Sequence, residues 1–451
     1  MAWLFNFAYL ALLAVAWPWL LGKAVRHGKY STGWAAKFLG RVPRREGQRP
    51  CMWLHAVSVG EVNLLQTLLP RMEREYPDWD IVISTTTLTG YALAKKRYSP
   101  RTVFYAPLDF SWAVNRAVQR IRPHILVLTE LELWPNLVNA VKRSGAKVAV
   151  INGRLSDNSF RSYSRISWLI RPLFAQLDLV AAQTEEYATR FRALGALPAN
   201  TEVTGSLKFD GANSDRLNPS TTRLAQLAGI QPAETIFLAG STQGPEEEIC
   251  LRIFQQLIPA HPQLRLILVP RHPERFEDVA QLLQRSGVSW QRRSAWTNAA
   301  PPENAAPWQV LLVDAVGELG AWWGTARIAF VGGSLGNRGG QNMIEPAAYG
   351  AAISFGPNTW NFRDVVARFL AVEGAVVVRD ESELAAFVVR CLQEPQFATD
   401  LGKRAASLVE TQQGAADHTM RLLKKLLLLA EQTVARSNSP TVSPPLHRMA
   451  G

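Results

Sequence analysis

Glu61, Glu130 and Lys208 each stand a few residues beyond a short apolar run, the position from which a side chain reaches over the end of a sheet. Glu61 follows the run 52–56, and in a loop at the edge of a ligand cleft its carboxylate would take the proton of a hydroxyl nucleophile. The same residue is equally suited to capping a helix that begins near Val62, because acidic side chains favour that end. Glu130 and Lys208 follow the runs 125–128 and 202–204. There a carboxylate stabilises a developing positive centre and an ammonium neutralises an anionic ligand, or the two form a structural ion pair. Glu132 suits the first role as well as Glu130, and spacing does not separate them; Trp134-Pro135 reads as packing.

A second group of residues has the chemistry of anion binding. In the segment 332–364, GGSLGNRGGQNMIEPAAYGAAISFGPNTWNFRD, an apolar strand at Ala329-Phe330-Val331 leads into Gly332, Gly333, Gly336, Gly339 and Gly340. Glycines let backbone N–H groups approach an anion closely, and Glu345-Pro346-Ala347-Ala348 reads as the first turn of a helix. A helix start carries unpaired donors and partial positive charge, so a nucleotide phosphate docks there without a metal, with Glu345 placed for ribose hydroxyls. A plain glycine-rich connector fits the same residues. Arg271 ends the strongly apolar run 264–269, where its guanidinium either grips phosphate through a bidentate fork or makes a surface ion pair. Ser241 and Thr242 follow the run 235–239 and add candidate phosphate contacts. No Asp-x-Asp pattern stands at the end of a run and histidines number only seven, so no metal is expected.

These side chains need sheets to hold them. Apolar runs at 52–55, 81–84, 125–128, 147–151 and 179–182 alternate with helical patterns, and a second series follows at 235–239, 264–269, 310–313, 328–331 and 352–355. Alternation of this kind predicts two parallel, doubly wound α/β domains facing a ligand cleft. The predicted boundaries are an N-terminal domain over 23–210, a polar linker over 211–230, a C-terminal domain over 231–420, a basic amphipathic helix over 421–436 and a disordered Ser/Pro-rich tail over 437–451.

At 451 residues and 47% hydrophobic content the chain has material for two buried cores. The excess of 49 Lys and Arg over 37 Asp and Glu gives a formal charge of +12, which favours an anionic partner. Among anionic partners nucleic acid is the least supported, for want of any recognition-helix, zinc-finger or RNP-type motif. Cys51, Cys250 and Cys391 are odd in number and widely spaced, which fits reduced packing better than a disulfide framework. Residues 3–21 are nearly unbroken apolar sequence, interrupted only by Asn6 and Pro18, and are long enough to span a bilayer. Lys23, Arg26, His27, Lys29, Lys37, Arg41, Arg44 and Arg45 follow, so the flank is predicted cytoplasmic and residues 1–22 a retained signal-anchor, with an interfacial helix as the alternative. Trp17 and Trp19 suit the headgroup boundary.

Eight blocks in one order give the chain a resemblance. They are Trp53-Leu54-His55-Ala56-Val57-Ser58-Val59-Gly60-Glu61, Glu130-Leu131-Glu132-Leu133-Trp134-Pro135-Asn136, Asn152-Gly153-Arg154-Leu155-Ser156, Gly205-Ser206-Leu207-Lys208-Phe209-Asp210, Gly240-Ser241-Thr242, Pro270-Arg271-His272-Pro273, Gly317-Glu318-Leu319 and the glycine-rich segment from Gly332. Over nearly its whole length the chain resembles the 3-deoxy-D-manno-octulosonic acid (Kdo) transferases of lipopolysaccharide synthesis, which have the two-domain GT-B fold.

The resemblance implies an inverting glycosyltransferase that moves Kdo from CMP-Kdo to a lipid A precursor, lipid IVA, at the cytoplasmic face of the inner membrane, with no cofactor beyond that donor substrate. It further implies Glu61 as general base, Glu130 and Lys208 as stabilising groups, and contacts to CMP from Pro270, Arg271, Gly317, Glu318, Leu319, Asn342, Met343, Ile344 and Glu345. Departures stand at Gln341 and Gln243, where the family usually has His, and at Met343-Ile344 in place of Pro-Leu. The competing readings are another GT-B sugar-nucleotide enzyme, either a UDP-sugar transferase or an epimerase, and a membrane-tethered binder of anionic ligands.

Overall fold

The computed structural model describes residues 6, 7, 9, 10, 32–296 and 307–437. The chain divides into two compact units: unit 1 takes in the chain up to Asp210 and again from Gln413, and unit 2 is Gly211–Gln412.

Unit 1 is built on seven strands, β1 (Cys51–His55), β2 (Asp80–Thr85), β3 (Val103–Tyr105), β4 (Ile125–Thr129), β5 (Lys147–Gly153), β6 (Leu179–Ala182) and β7 (Thr201–Val203). They form one parallel sheet in the order β3-β2-β1-β4-β5-β6-β7. β1 and β4 are buried along their entire length, as strands covered by helices on both faces must be. Chain order reverses between β1 and β4, so the loops after these two strands diverge and leave a crevice at their carboxyl ends. Unit 2 repeats the plan with β8 (Thr235–Thr242), β9 (Leu264–Pro270), β10 (Trp290–Arg292), β11 (Val310–Leu312), β12 (Ile328–Val331), β13 (Ala352–Phe355) and β14 (Val376–Val377). Its order is β10-β11-β9-β8-β12-β13-β14, again parallel throughout, with the reversal between β8 and β12.

Each of the ten apolar runs read from the sequence, and the run 202–204 before Lys208, lies on or overlaps one of these strands. Three strands have no such signal: β3, β10 and β14 are two or three residues long and lie at sheet edges, too short for a pattern to develop. The polar stretch 211–230 is not an extended linker. Asn218 accepts the Thr221 N–H at 3.0 Å and Pro219 stands at the first turn of the helix Pro219–Leu227, which belongs to unit 2.

The C-terminal helix also differs from the reading of 421–436. It runs Ala415–Ser437, and Ala415, Ala416, Met420, Leu423 and Leu427 are buried in the core of unit 1 beside Leu65 and Leu69. The Asp210 carboxylate accepts the N–H groups of Gly414 (2.5 Å) and Ala416 (2.7 Å), fixing the helix start where the chain returns to unit 1. The second unit therefore ends at Gln412 and not near 420.

The expected membrane anchor over 1–22 lies outside the described residues except for 6, 7, 9 and 10, and residues 438–451 of the expected tail lie outside them as well. Among the described residues no helix is long and apolar enough to cross a membrane. Two described residues of that N-terminal segment bond to unit 1. Asn6 exchanges hydrogen bonds with the Ser111 hydroxyl (2.7 Å) and N–H (2.9 Å), and the Tyr9 hydroxyl donates to Asp109 at 3.0 Å.

Candidate active site

Glu61 does not lie in a loop. It occupies the first turn of the helix Val59–Glu75, where Ser58 is the N-cap and its hydroxyl accepts the Glu61 N–H at 3.4 Å. The Glu61 carboxylate reaches back over that turn. Its Oε1 accepts from the Ser58 hydroxyl at 2.8 Å, and its Oε2 from the Val57 N–H at 2.8 Å. Across the point where strand order reverses, the Thr129 hydroxyl at the end of β4 shares its proton between the His55 carbonyl and Glu61 Oε2, each 2.9 Å away. A carboxylate has about four lone-pair sites, so these three donors fix its orientation and leave room for one substrate hydroxyl. Capping and chemistry are thus compatible in one side chain, which is 7% exposed.

Glu130 follows Thr129 with φ of +58°, a left-handed conformation that costs a non-glycine residue about 1–3 kcal/mol and is retained where surrounding structure demands it. Its N–H donates to the Ile151 carbonyl at 2.9 Å, tying the turn to β5. Glu132, two residues on, accepts the Trp134 indole N–H at 3.2 Å. Burial first, then the charge of Glu61 and, more weakly, that of Glu130, push the Glu132 carboxyl up to about 7. Three carboxyl groups therefore share the mouth of β1 and β4. Lys208 lies on the turn after β7 and is half-buried. That turn is held by Asn152, itself left-handed at φ +52°, whose Oδ1 accepts the Leu207 N–H at 3.0 Å.

In unit 2 the candidate residues gather at the ends of β8, β9 and β12. Pro270 closes β9, and the N–H of exposed Arg271 donates to the Thr242 carbonyl at 3.0 Å. Asn342 organises the next turn: its Oδ1 accepts the Ile344 N–H at 3.1 Å and its Nδ2 donates to Glu345 Oε1 at 2.9 Å. Burial raises the Glu345 pKa, against the opposing pull of Asn342 and the Arg271 charge. Gly320 lies beside Glu345, since a Cβ there would be 3.7 Å from Glu345 Oε2, which brings the 317–320 turn to the same place.

Several side chains predicted to touch the ligand are committed elsewhere. The Glu318 carboxylate takes a bidentate bond from buried Arg293, at 2.9 and 2.8 Å, and a third from the Trp322 indole at 3.2 Å. Met343 and Ile344 are core residues, 0% and 1% exposed, so only their main chain is available. Leu319 is half-buried and packs near Gly240, and Gly317 is an exposed turn residue at φ +97°. Thr242 is fully buried with its hydroxyl unpartnered, whereas Ser241 is held at φ +55°.

The glycine-rich loop departs most from expectation. The N–H groups of Gly333, Ser334 and Leu335 do not stand open to an anion; they donate to the carboxylate of Glu246, at 2.7, 2.9 and 3.0 Å. Gly332 is required there because a Cβ would come within 2.6 Å of Thr242 Cα and 2.7 Å of Glu246 Oε2.

Residues 32–211 match the family model described as 3-deoxy-D-manno-octulosonic-acid transferase (kdotransferase). The 3-deoxy-D-manno-octulosonic acid transferase of Haemophilus influenzae is 32% identical over 94% of this chain and 99% of its own length. The chain belongs to this family. It is a glycosyltransferase. Among solved structures, the C-terminal CMP-Kdo binding domain of WaaA from Acinetobacter baumannii is 30% identical, covering 42% of this chain and 97% of that one, with a TM-score of 0.39. UDP-GlcNAc 2-epimerase from Neisseria meningitidis, at 11% identity, covers 83% of this chain and 100% of its own with a TM-score of 0.52, a likeness of fold.

Reading residue types alone misses Ser58, Thr129, Asn152 and Glu246 in this transferase. Ser58-x-x-Glu61 is a capping-box pattern and was available in the sequence. The others carry no local signal, because Thr129 and Glu61 are 68 positions apart and Glu246 and Gly333 are 87 apart.

Proposed function

We propose that this transferase moves Kdo from CMP-Kdo to a lipid A precursor, lipid IVA, with inversion at the anomeric carbon and without a metal. The observation that carries the reading is the oriented Glu61 carboxylate, with three of its acceptor positions filled and one left over. An acceptor hydroxyl donates its proton to that position while its oxygen bonds to the anomeric carbon of Kdo. The bond from that carbon to the phosphate oxygen breaks, and CMP departs with the electron pair. Glu130 offsets the positive charge that develops at the anomeric centre, and Lys208 neutralises the Kdo carboxylate. Arg271 binds the CMP phosphate, and Glu345 with the 317–320 turn holds the nucleoside. Incubation with CMP-Kdo and lipid IVA, followed by product mass, tests the assignment and counts the Kdo units added. Absence of any mass increase, together with thermal protection by UDP and not by CMP, would transfer the chain to the UDP-sugar enzymes.

The proposal places the enzyme at the cytoplasmic face of the inner membrane. Unit 1 supports this with exposed Phe7, Leu10, Trp34 and Trp112 and with stacked aromatic pairs, Trp34 on Phe38 at 4.5 Å and Phe110 on Trp112 at 4.7 Å. Aromatic side chains of this kind favour the headgroup boundary, and the formal +12 charge favours anionic lipid. Co-sedimentation with vesicles of anionic and of neutral lipid tests it; equal failure to bind both would remove the membrane from the reading.

A further inference from the structure

The glycine-rich loop of unit 2 already holds an anion, and that anion is a side chain. Glu246 stands at the start of the helix Glu246–Leu257 and is 1% exposed. Its Oε2 accepts the N–H groups of Gln243 (2.9 Å) and Gly333 (2.7 Å), and its Oε1 those of Ser334 (2.9 Å) and Leu335 (3.0 Å). Four amides therefore saturate the carboxylate, and the carboxylate saturates them. A phosphate entering this loop would have to strip a buried, fully bonded carboxylate, with its own charge repelled meanwhile. The next residue fixes a neighbouring loop in the same way: Glu247, also 1% exposed, takes two bonds from Arg275, at 3.1 and 3.4 Å, four residues beyond Arg271.

Two side-chain amides lie on the rim of the filled loop. The Nε2 atoms of Gln341 and Gln243 come within 3.3 and 3.4 Å of the position a Cβ on Gly333 would take. Both residues are half-buried, and neither side-chain amide is hydrogen-bonded among the described residues. They converge from the ends of β8 and β12, at the point of unit 2 where strand order reverses.

We propose that Glu246 is a positioning residue that fills the glycine loop in place of a ligand, and that the phosphate of the sugar donor is received by Gln243 and Gln341 on its rim. The phosphodiester of a nucleoside-monophosphate sugar carries a single negative charge, which two neutral amides and one guanidinium match. The inference rests on reading unit 2 as the donor-binding unit, and the test separates the two.

CMP affinity is measured calorimetrically on the full chain and on Gln243→Ala, Gln341→Ala, the double variant and Arg271→Ala. The glutamine variants delete side chains that make no hydrogen bond among the described residues, so the fold persists. Each single change is expected to weaken CMP binding about fivefold to tenfold and the double change more, with the acceptor KM unmoved. Wild-type affinity in the double variant beside loss in Arg271→Ala overturns this inference and leaves the donor reading intact. Wild-type affinity in all four overturns both.

Glu246→Gln and Glu246→Ala complete the test. Glutamine keeps the shape but turns its NH₂ toward backbone N–H groups, so both variants are expected to raise the donor KM more than tenfold with the acceptor KM unchanged, and millimolar formate to recover part of the loss in Glu246→Ala. Full function in Glu246→Gln reduces Glu246 to packing and overturns the positioning role. Tighter CMP binding by Glu246→Ala would place the phosphate inside the loop and overturn the whole proposal. Should Glu246→Ala fail to fold, the double glutamine variant decides.

Discussion

The Thr129 hydroxyl lies 2.9 Å from Glu61 Oε2, and this contact joins the two central strands of unit 1 at the point where their order reverses. β4 thereby sets the angle of a carboxylate that β1 and its helix deliver. Replacing Thr129 with Val keeps the branched shape and removes the hydroxyl donor. The expected result is a fall in kcat of about tenfold, the worth of one hydrogen bond to a charged group, with CMP affinity unchanged. Steady-state kinetics check it, and a kcat equal to wild type would mean that Ser58 and Val57 suffice to aim Glu61.

Glu61→Gln is expected to lower turnover by about 10² to 10⁴ while CMP still binds, because the amide retains the shape and loses the basic lone pair. The variant must also place its NH₂ among the three donors that face the carboxylate, so a modest loss of stability accompanies the lost rate. Single-turnover rates beside a melting curve separate the two effects. Near-normal turnover would return Glu61 to helix capping alone.

Glu132 gives the enzyme a pH dependence near neutrality. Its carboxyl is raised from the ordinary 4.5 to about 7 by burial and then by the charge of Glu61. The folded chain therefore keeps a proton that the unfolded chain releases, and the contribution to stability declines as pH rises through about 4.5 to 7 and is gone above it. Glu132→Gln is expected to flatten the stability profile across that window and to raise the melting temperature relative to wild type above pH 7. Melting curves from pH 5 to 8 check the prediction; parallel profiles for the two proteins would refute it.

Arg271→Ala is expected to weaken CMP binding far more than EDTA does, since the proposed phosphate contact is a charge-assisted bond, roughly twice as strong as a neutral one. Activity abolished by EDTA and restored by Mg²⁺, in an enzyme that tolerates Arg271→Ala, would overturn the metal-free reading.

Asn6 and Tyr9 tie the start of the chain to Asp109, Ser111 and Asn136 of unit 1. Asn6→Ala is expected to destabilise unit 1 by about 1–3 kcal/mol, because buried Asn136 and half-buried Ser111 lose their bonds. Removing residues 1–21 is expected to lower the urea midpoint as well. Unchanged midpoints in both proteins would make these contacts dispensable.

The sequence by itself determined the two parallel sheets, because a strand buried on both faces must be apolar along most of its length, and β1, β4, β9 and β12 are apolar except at His55, Thr129 and Arg265. It also placed Glu61, Glu130 and Arg271 within a few residues of strand ends and Glu345 at a helix start. Even the helix at Pro219 was legible in Asn218-Pro219, a cap and a favoured first residue.

Only the tertiary structure decided what those residues face. The glycines of 332–335 read as an open anion site because a sequence records the donors and not the partner. The partner, Glu246, reaches them from the helix after β8 only when β8 and β12 lie side by side. The same reason explains why Glu318, read as a ligand contact, is held by Arg293, and why the helix Ala415–Ser437 returns to the core of unit 1. Local pattern fixes where a side chain begins, whereas hydrogen bonds across 68 or 87 positions fix where it ends, and these exist only once the strands are paired.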